Sequence, residues 1–316
     1  MSADGAPPEV VALAERRAAA RAAKDFAAAD ALRDAIAEVG WAVADAPGGF
    51  TLRPSVSEGA PRGPVAAGDV ASLLDQPVIF DATIHWVCEG WPEDIDRALT
   101  AFRAHAAGRR LQFVIADLTG EGRWDEHDDV EVLSLEPGTG WAAARNAGLR
   151  RSRAPIVLAV DGSIEPTGDA IVPLEAALAD PGLGICGPFG VVTTDLREFD
   201  EAPGPGPCDA VEGYLMAFRR EILTEAGPFD EKFRWYRTAD IEWSFRVKDA
   251  GYRCEVVEVP VAKHEHRMWF EAPPDERATW SKRNFYRFLD RWRDRWDLVL
   301  SGEPGEPSEP GDGLPG

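Results

Sequence analysis

The chain is short of positive charge, of paired cysteines and of long apolar runs, and each shortage removes a class of function. Its 34 Lys and Arg face 55 Asp and Glu, giving a formal net charge of -21 and a pI near 4.6. Such a field repels phosphate backbones and argues against nucleic acid as the main partner, although a nucleotide could bind through local donors and a metal. The four cysteines, Cys88, Cys186, Cys208 and Cys254, are scattered without a CxxC spacing, which excludes a zinc finger or a disulfide framework and suits a reducing compartment. No apolar stretch approaches the roughly 18 residues of a membrane span, and no basic-then-apolar leader opens the chain. The expectation is a soluble cytoplasmic protein. Its 316 residues allow one or two domains.

What is present falls into four stretches. Residues 1–53 are Ala-rich and predict two short helices, with Val10, Leu13 and Ala14, then Phe26, Leu32, Ile36 and Val39, at helical spacing. Asp25 is the expected N-cap of the second helix and Gly40 its stop; Pro47-Gly48-Gly49 would turn between short strands at 41–44 and 50–53. Residues 54–76, mostly Pro, Gly, Ser and Ala, read as a flexible linker in which 70–74 could form a turn of helix. From 77 to 300 strand signals (77–83, 111–117, 130–135, 155–161) alternate with helix signals (92–106, 141–152). That alternation predicts an α/β domain with a mixed, mostly parallel sheet, helices on both faces and a crevice at the strand C-termini. Residues 301–316 read as a disordered acidic tail.

Asp81, Asp117 and Asp161 each end or closely follow a predicted strand, where such sheets hold ligands; each could equally cap the next turn. Residues 227–252, GPFDEKFRWYRTADIEWSFRVKDAGY, place Asp240 and Glu242 at a helix start after a loop holding Phe229, Phe233, Trp235 and Tyr236. A carboxylate at that junction can be aimed into a cleft as a general base. Asp240 could instead cap the helix, and Glu242 is spaced to pair with Arg246 one turn on. Further along, Trp280, Phe285, Phe288, Leu289, Trp292 and Trp296 form a helical stripe interleaved with Lys282, Arg283, Arg287, Arg291, Arg293 and Arg295. Residues 280–300 would then lie on an anionic membrane or dock on the domain, and Asp290, Asp294 and Asp297 dilute the charge in favour of docking.

Two resemblances sharpen this reading. Gly227, Phe229, Asp230, Glu231, Phe233, Asp240, Glu242 and Arg246 match the acceptor-side motif of the family 2 inverting glycosyltransferases, with Ala239 where the family has Glu. Arg145, Asn146, Gly148 and Asp161 resemble its donor half, where an Arg-Asn-x-Gly helix start precedes a strand ending in Asp-x-Asp; Ser163 replaces the second acid. The resemblance implies a GT-A-like fold and inverting hexosyl transfer from a nucleotide sugar to a carbohydrate or lipid-linked acceptor, at the inner face of the membrane if residues 280–300 touch it. It implies Asp240 as base with Glu242 in support, and Asp117, Arg145, Asn146, Gly148 and Asp161 on the donor side. Asp230, Glu231 and Trp235 fall on the acceptor side. A divalent metal, Mg or Mn, would be held by Asp161 and His264, with His266 the substitute two residues on and metal independence open. The stretch DATIHWVCEG replaces the Pro-x-Tyr-Asn expected after the first strand. Residues 1–53, through KDFAAADALRD and DAPGGFTLRP, resemble the C-terminal segment of cysteinyl-tRNA synthetases. Two other readings stand beside this one: a catalytically degenerate nucleotide-sugar-binding domain, and an adaptor whose N-terminal module binds RNA or protein.

Overall fold

A computed structural model describes residues 6–46, 49–54, 63–124, 127 and 129–303. The first of its units is an αα-hairpin, α1 (Pro8–Ala22) and α2 (Phe26–Glu38), closed by the antiparallel pair β1 (Trp41–Ala46) and β2 (Gly49–Pro54). Asp25 caps α2 by accepting the Ala28 amide at 3.1 Å, and Gly40 ends it at φ 80°, a conformation that favours glycine. Val10, Ala14, Ile36, Trp41, Phe50 and Leu52 are its small core. The turn expected at 47–48 lies outside the described residues.

The large unit follows in chain order as β3 (Ala82–Cys88), α3 (Pro92–Ala104), β4 (Leu111–Asp117), β5 (Val130–Ser134), α4 (Trp141–Leu149) and β6 (Ile156–Val160). It continues with β7 (Ile164–Pro166), α5 (Ile171–Leu178), β8 (Leu183–Gly187), β9 (Gly190–Val192), β10 (Asp200–Glu201), β11 (Gly206–Pro207), β12 (Ala210–Val211) and β13 (Leu215–Arg219). Last come α6 (Ile222–Glu225), α7 (Ala239–Asp249), β14 (Arg253–Val256), β15 (Val261–Lys263), α8 (Arg267–Glu271) and α9 (Pro274–Trp292). Eight strands form one sheet in the order β11-β14-β8-β13-β6-β3-β4-β5, in which only β13 and β11 run against the rest. Helices cover both faces, which is why the central strands are almost wholly apolar. Ala82, Ile84, Trp86 and Cys88 alternate onto the face covered by α3 and α5, while Val157 and Ala159 face α4 and α7.

The first strand of this sheet differs from the sequence expectation. It runs 82–88, not 77–83, so Asp81 precedes it at the rim opposite the crevice, where its carboxylate takes the Arg110 amide at 2.7 Å and guanidinium at 2.8 Å. The apolar run before Asp81 mimics a strand, whereas the true strand carries the polar but buried Thr83 and His85. Residues 65–74, expected within the linker, also pack on the domain. Val65 bridges Leu135, Ala67 and Val70 are buried with Ala144 and Ala147, and the Leu73 amide donates to Arg150 O at 2.7 Å. The tail from residue 304 lies outside the described residues. Helix α9 docks by burying Phe288, Leu289 and Trp292 on Phe245 and Leu196.

Candidate active site

Strands β3, β4 and β6 end side by side, so Glu89, Asp117 and Asp161 share one rim. Strand β13 runs the other way and therefore starts there, with Leu215 opposite Val160. The tripeptide Glu212-Gly213-Tyr214 that leads into it touches two of the expected acids at once. The Asp161 amide donates to the Tyr214 carbonyl at 2.9 Å, and the Gly213 amide donates to Asp240 Oδ2 at 2.7 Å. A Cβ on residue 213 would stand 3.2 Å from that carboxylate, so glycine permits the approach.

Asp240 lies in the first turn of α7, which the chain enters through Thr238 in the left-handed region at φ 69°. Burial raises the Asp240 carboxyl above the usual carboxylate range, against the pull of the Gly213 and Ile241 amides. Neighbouring Glu212 is pushed up to about 7 by burial and then by the Asp240 charge. Asp161 is the opposite case. Burial would raise it, but hydrogen bonds from His266 and Ser163 hold it down at about 2. Its Oδ1 accepts the Ser163 amide at 2.9 Å and hydroxyl at 2.5 Å, while Oδ2 faces His266 Nε2 at 3.3 Å. The imidazole packs edge-on against Tyr214 and Tyr236, at 5.8 and 4.6 Å between centroids. Glu89 completes the acidic rim. Burial lifts it to about 7, with the Arg145 charge opposing, and its Oε2 is buried without a hydrogen-bond partner among the described residues.

The remaining expected residues divide between crevice and scaffold. Asp117 Oδ1 accepts the Thr119 amide and hydroxyl at 2.9 and 2.7 Å, leaving Oδ2 buried without a hydrogen-bond partner among the described residues. Arg145 lies under the floor, donating to His85 O at 2.9 Å and to Val160 O at 3.4 Å, and so ties the ends of β3 and β6 together. Asn146 clamps the following loop through Phe229 O and the Phe229 amide, both at 2.9 Å, and Glu231 Oε1 at 3.2 Å. Gly148 lets α4 close on β3, since a Cβ there would overlap the His85 ring. Glu242, expected beside Asp240, sits roughly 200° around the helix from it. It is buried against Arg246 at 2.8 Å and Arg291 at 3.3 Å, which makes it a brace for α7 and α9. Asp230 accepts the Lys232 amide at 3.0 Å and faces Arg246 at 3.9 Å. The Trp235 indole lies 5.0 Å from Tyr236, its N–H buried and unpartnered among the described residues.

His264 does not face Asp161: its Nε2 meets Glu165 at 2.7 Å, and the side chain is 40 % exposed. The substitute, His266, takes that place. Among the described residues no three His, Cys, Asp or Glu side chains are arranged to hold a metal ion. Of the residues on this rim, Glu89, Glu212, Tyr214 and Arg237 were not singled out by the sequence. The Glu212-Gly213-Tyr214 turn stands directly before the apolar run 215–218, and Glu89 directly after the true β3, so a correct strand register would have flagged both.

With this geometry in place, comparisons with known proteins fall into two halves. Residues 3–53 match the model of the cysteinyl-tRNA ligase anticodon binding domain. The same region is 57 % identical over 49 residues to the cysteine–tRNA ligase of Opitutus terrae, spanning 16 % of this chain and 11 % of that relative. The solved structure of GalNAc-T7 with UDP, GalNAc and Mn2+ superposes with a TM-score of 0.55 at 15 % identity, over 69 % of this chain and 50 % of that one. The mannosyltransferase PcManGT of Pyrobaculum calidifontis, in complex with GDP-Man and Mn2+, gives 0.46 at 20 % identity, over 72 % and 78 % of the two chains. The chain therefore spans about a tenth of the ligase and half of the GalNAc-T7 chain it matches. Its large unit has a GT-A-like glycosyltransferase fold.

Proposed function

We propose that the large unit transfers a hexosyl group from a nucleotide-sugar donor to an acceptor hydroxyl with inversion, as the family 2 resemblance implies. The observation that carries this reading is the Glu212-Gly213-Tyr214 turn, which binds Asp161 on one side and Asp240 on the other. A donor-side acid and a candidate base are thereby fixed to one short piece of backbone, the positioning that displacement requires. In the step proposed, Asp240 takes the proton of the acceptor hydroxyl as its oxygen attacks the anomeric carbon. The bond from that carbon to the diphosphate oxygen breaks, and its electron pair leaves with the nucleoside diphosphate. The raised carboxyl of Asp240 suits a base, because a more basic carboxylate accepts the proton more readily. Asp117 is assigned the nucleobase and Trp235 the acceptor. The test is turnover of nucleotide sugars by wild type and by Asp240→Asn: loss in the variant with retained nucleotide binding supports the assignment, and equal turnover removes it.

A second reading attaches to residues 3–53, whose relatives are tRNA ligases. Three of its cations are paired: Arg17 and Arg21 meet Asp45 at 2.9 and 3.1 Å, and Arg33 meets Asp30 at 3.5 Å. Such pairing reduces the charge left for a phosphate backbone and favours a protein contact over RNA. Retained RNA binding by the chain at physiological salt, lost on removal of residues 1–62, would reverse that preference.

A further inference from the structure

The donor reading brings a metal with it, and the donor set in this chain does not fit one. Asp161 Oδ1 is taken by the Ser163 amide and hydroxyl, and Oδ2 by His266. Ser163 itself stands where a second acid was expected, and His264 is spent on Glu165 at 2.7 Å. A diphosphate leaving group still needs positive charge beside it. The rim supplies that charge from another direction.

Arg237 precedes α7 by two residues. Its guanidinium lies over the Trp269 ring at 4.5 Å and makes no ion pair among the described residues, although its charge is felt at Asp240, Glu212, Tyr214 and Tyr236. Trp269 is held in turn by Arg277, over the same ring at 4.7 Å and donating to Trp269 O at 2.7 Å. Helix α8, which carries Trp269, is fastened to the start of α3 by Trp91 Nε1 to Glu271 at 3.0 Å and by Arg267 to Glu93 and, at 3.4 Å, to Asp94. An arginine stacked on a braced indole keeps the in-plane N–H edge of its guanidinium free, the arrangement suited to bidentate contact with phosphate oxygens. His266, seated between Asp161, Tyr214 and Tyr236, presents a ring 11 % exposed at the same rim.

We propose that this chain binds the diphosphate of its donor with Arg237 and His266, without a divalent ion. The inference rests on the donor reading above and assigns Asp161 the role of positioning His266. Calorimetric titration of the full chain with UDP, GDP, ADP and dTDP, in EDTA and in excess Mn2+, tests it. The expected result is that at least one nucleotide binds with affinities in the two buffers agreeing to within about twofold. Arg237→Gln should weaken that nucleotide about tenfold to a hundredfold in both buffers, the span of one lost charge-assisted contact. Arg237→Lys should recover part of the loss, and His266→Gln should weaken binding in EDTA and in Mn2+ alike. Thermal melts of each variant separate lost binding from lost folding. Binding that needs Mn2+, or that survives Arg237→Gln in a folded protein, overturns the inference and leaves the donor reading standing. Binding of no nucleotide in either buffer overturns both.

Discussion

At the scale of single residues, Asp161, Asp240, Glu212 and Glu89 are distinguished by their surroundings more than by their chemistry. Asp161 is held low by donors, whereas Asp240, Glu212 and Glu89 are raised by burial. Asp240→Asn should keep nucleotide affinity and lose transfer by about two to four orders of magnitude, the usual span of general base catalysis, in a single-turnover assay. Glu212 and Glu89 carry a stability consequence. Each has a folded value of about 7, above the ordinary glutamate value, so the folded state holds a proton that the unfolded chain has released. Their contribution is complete at low pH and is lost as pH rises from about 4.5 through 7. Thermal melts across that window should therefore show Glu212→Gln losing less stability with rising pH than wild type. An unchanged slope would mean that Glu212 is solvated more fully than its place beside Asp240 allows.

At the scale of elements, the sequence made legible those parts whose signal is periodic, and little else. Strands 111–117 and 155–161, helices 92–106 and 141–152, and the cap at Asp25 need only local pattern, and all are in place to within a few residues. The first strand departs from its expected place because Asp81 separates two apolar runs, and only the second pairs into the sheet. Glu212 and Tyr214 reach the rim because the apolar run 215–218 that follows them inserts antiparallel between β6 and β8, so that its start and not its end lies there, while Arg237 comes from the loop before α7 and carries no periodic signal. Glu242 was legible as an i,i+4 partner of Arg246, and that local pairing is what the fold uses. Removing the Glu242 charge leaves Arg246 with only the longer ion pair to Asp230 at 3.9 Å, and Arg291 without its carboxylate. Glu242→Gln should then destabilise the chain by about 1 to 3 kcal/mol in denaturant unfolding while sparing nucleotide affinity. Helix α9 is the clearest case of choice between two sequence readings. Its Phe288, Leu289 and Trp292 face the domain, so Trp292→Ala should cost about 3 to 5 kcal/mol as a buried large-to-small change. Were that apolar stripe instead a membrane face, the substitution would leave stability untouched and reduce binding to anionic vesicles.

At the scale of the whole molecule, the boundary between the two units falls earlier than composition suggests. Proline, glycine and serine mark 54–76 as a linker, yet residues from 65 onward are part of the large unit's core. Val65 extends the sheet edge beside β5, Ala67 and Val70 fill a cluster with Val114, Leu133 and Ala144, and the Ala71 carbonyl takes Arg151 Nη1 at 3.1 Å. The N-terminal unit has its own closed core and reaches the large one at Gly40, whose backbone lies against the Arg153 guanidinium. Every residue assigned to donor, acceptor or proton transfer lies beyond residue 88. A chain beginning at Gly63 should accordingly fold, bind the same nucleotide and keep most of the large unit's melting temperature. One beginning at Ala71 should lose Val65, Ala67 and Val70, the last two buried, and with them about 2 to 4 kcal/mol at about 1 to 2 kcal/mol per buried side chain. For a unit of this size that is a drop of several degrees or more in melting temperature, with nucleotide binding preserved below the transition. Equal melting temperatures for the two truncations would return 63–70 to the linker, and loss of nucleotide binding from the Gly63 chain would show that the N-terminal unit takes part in the site.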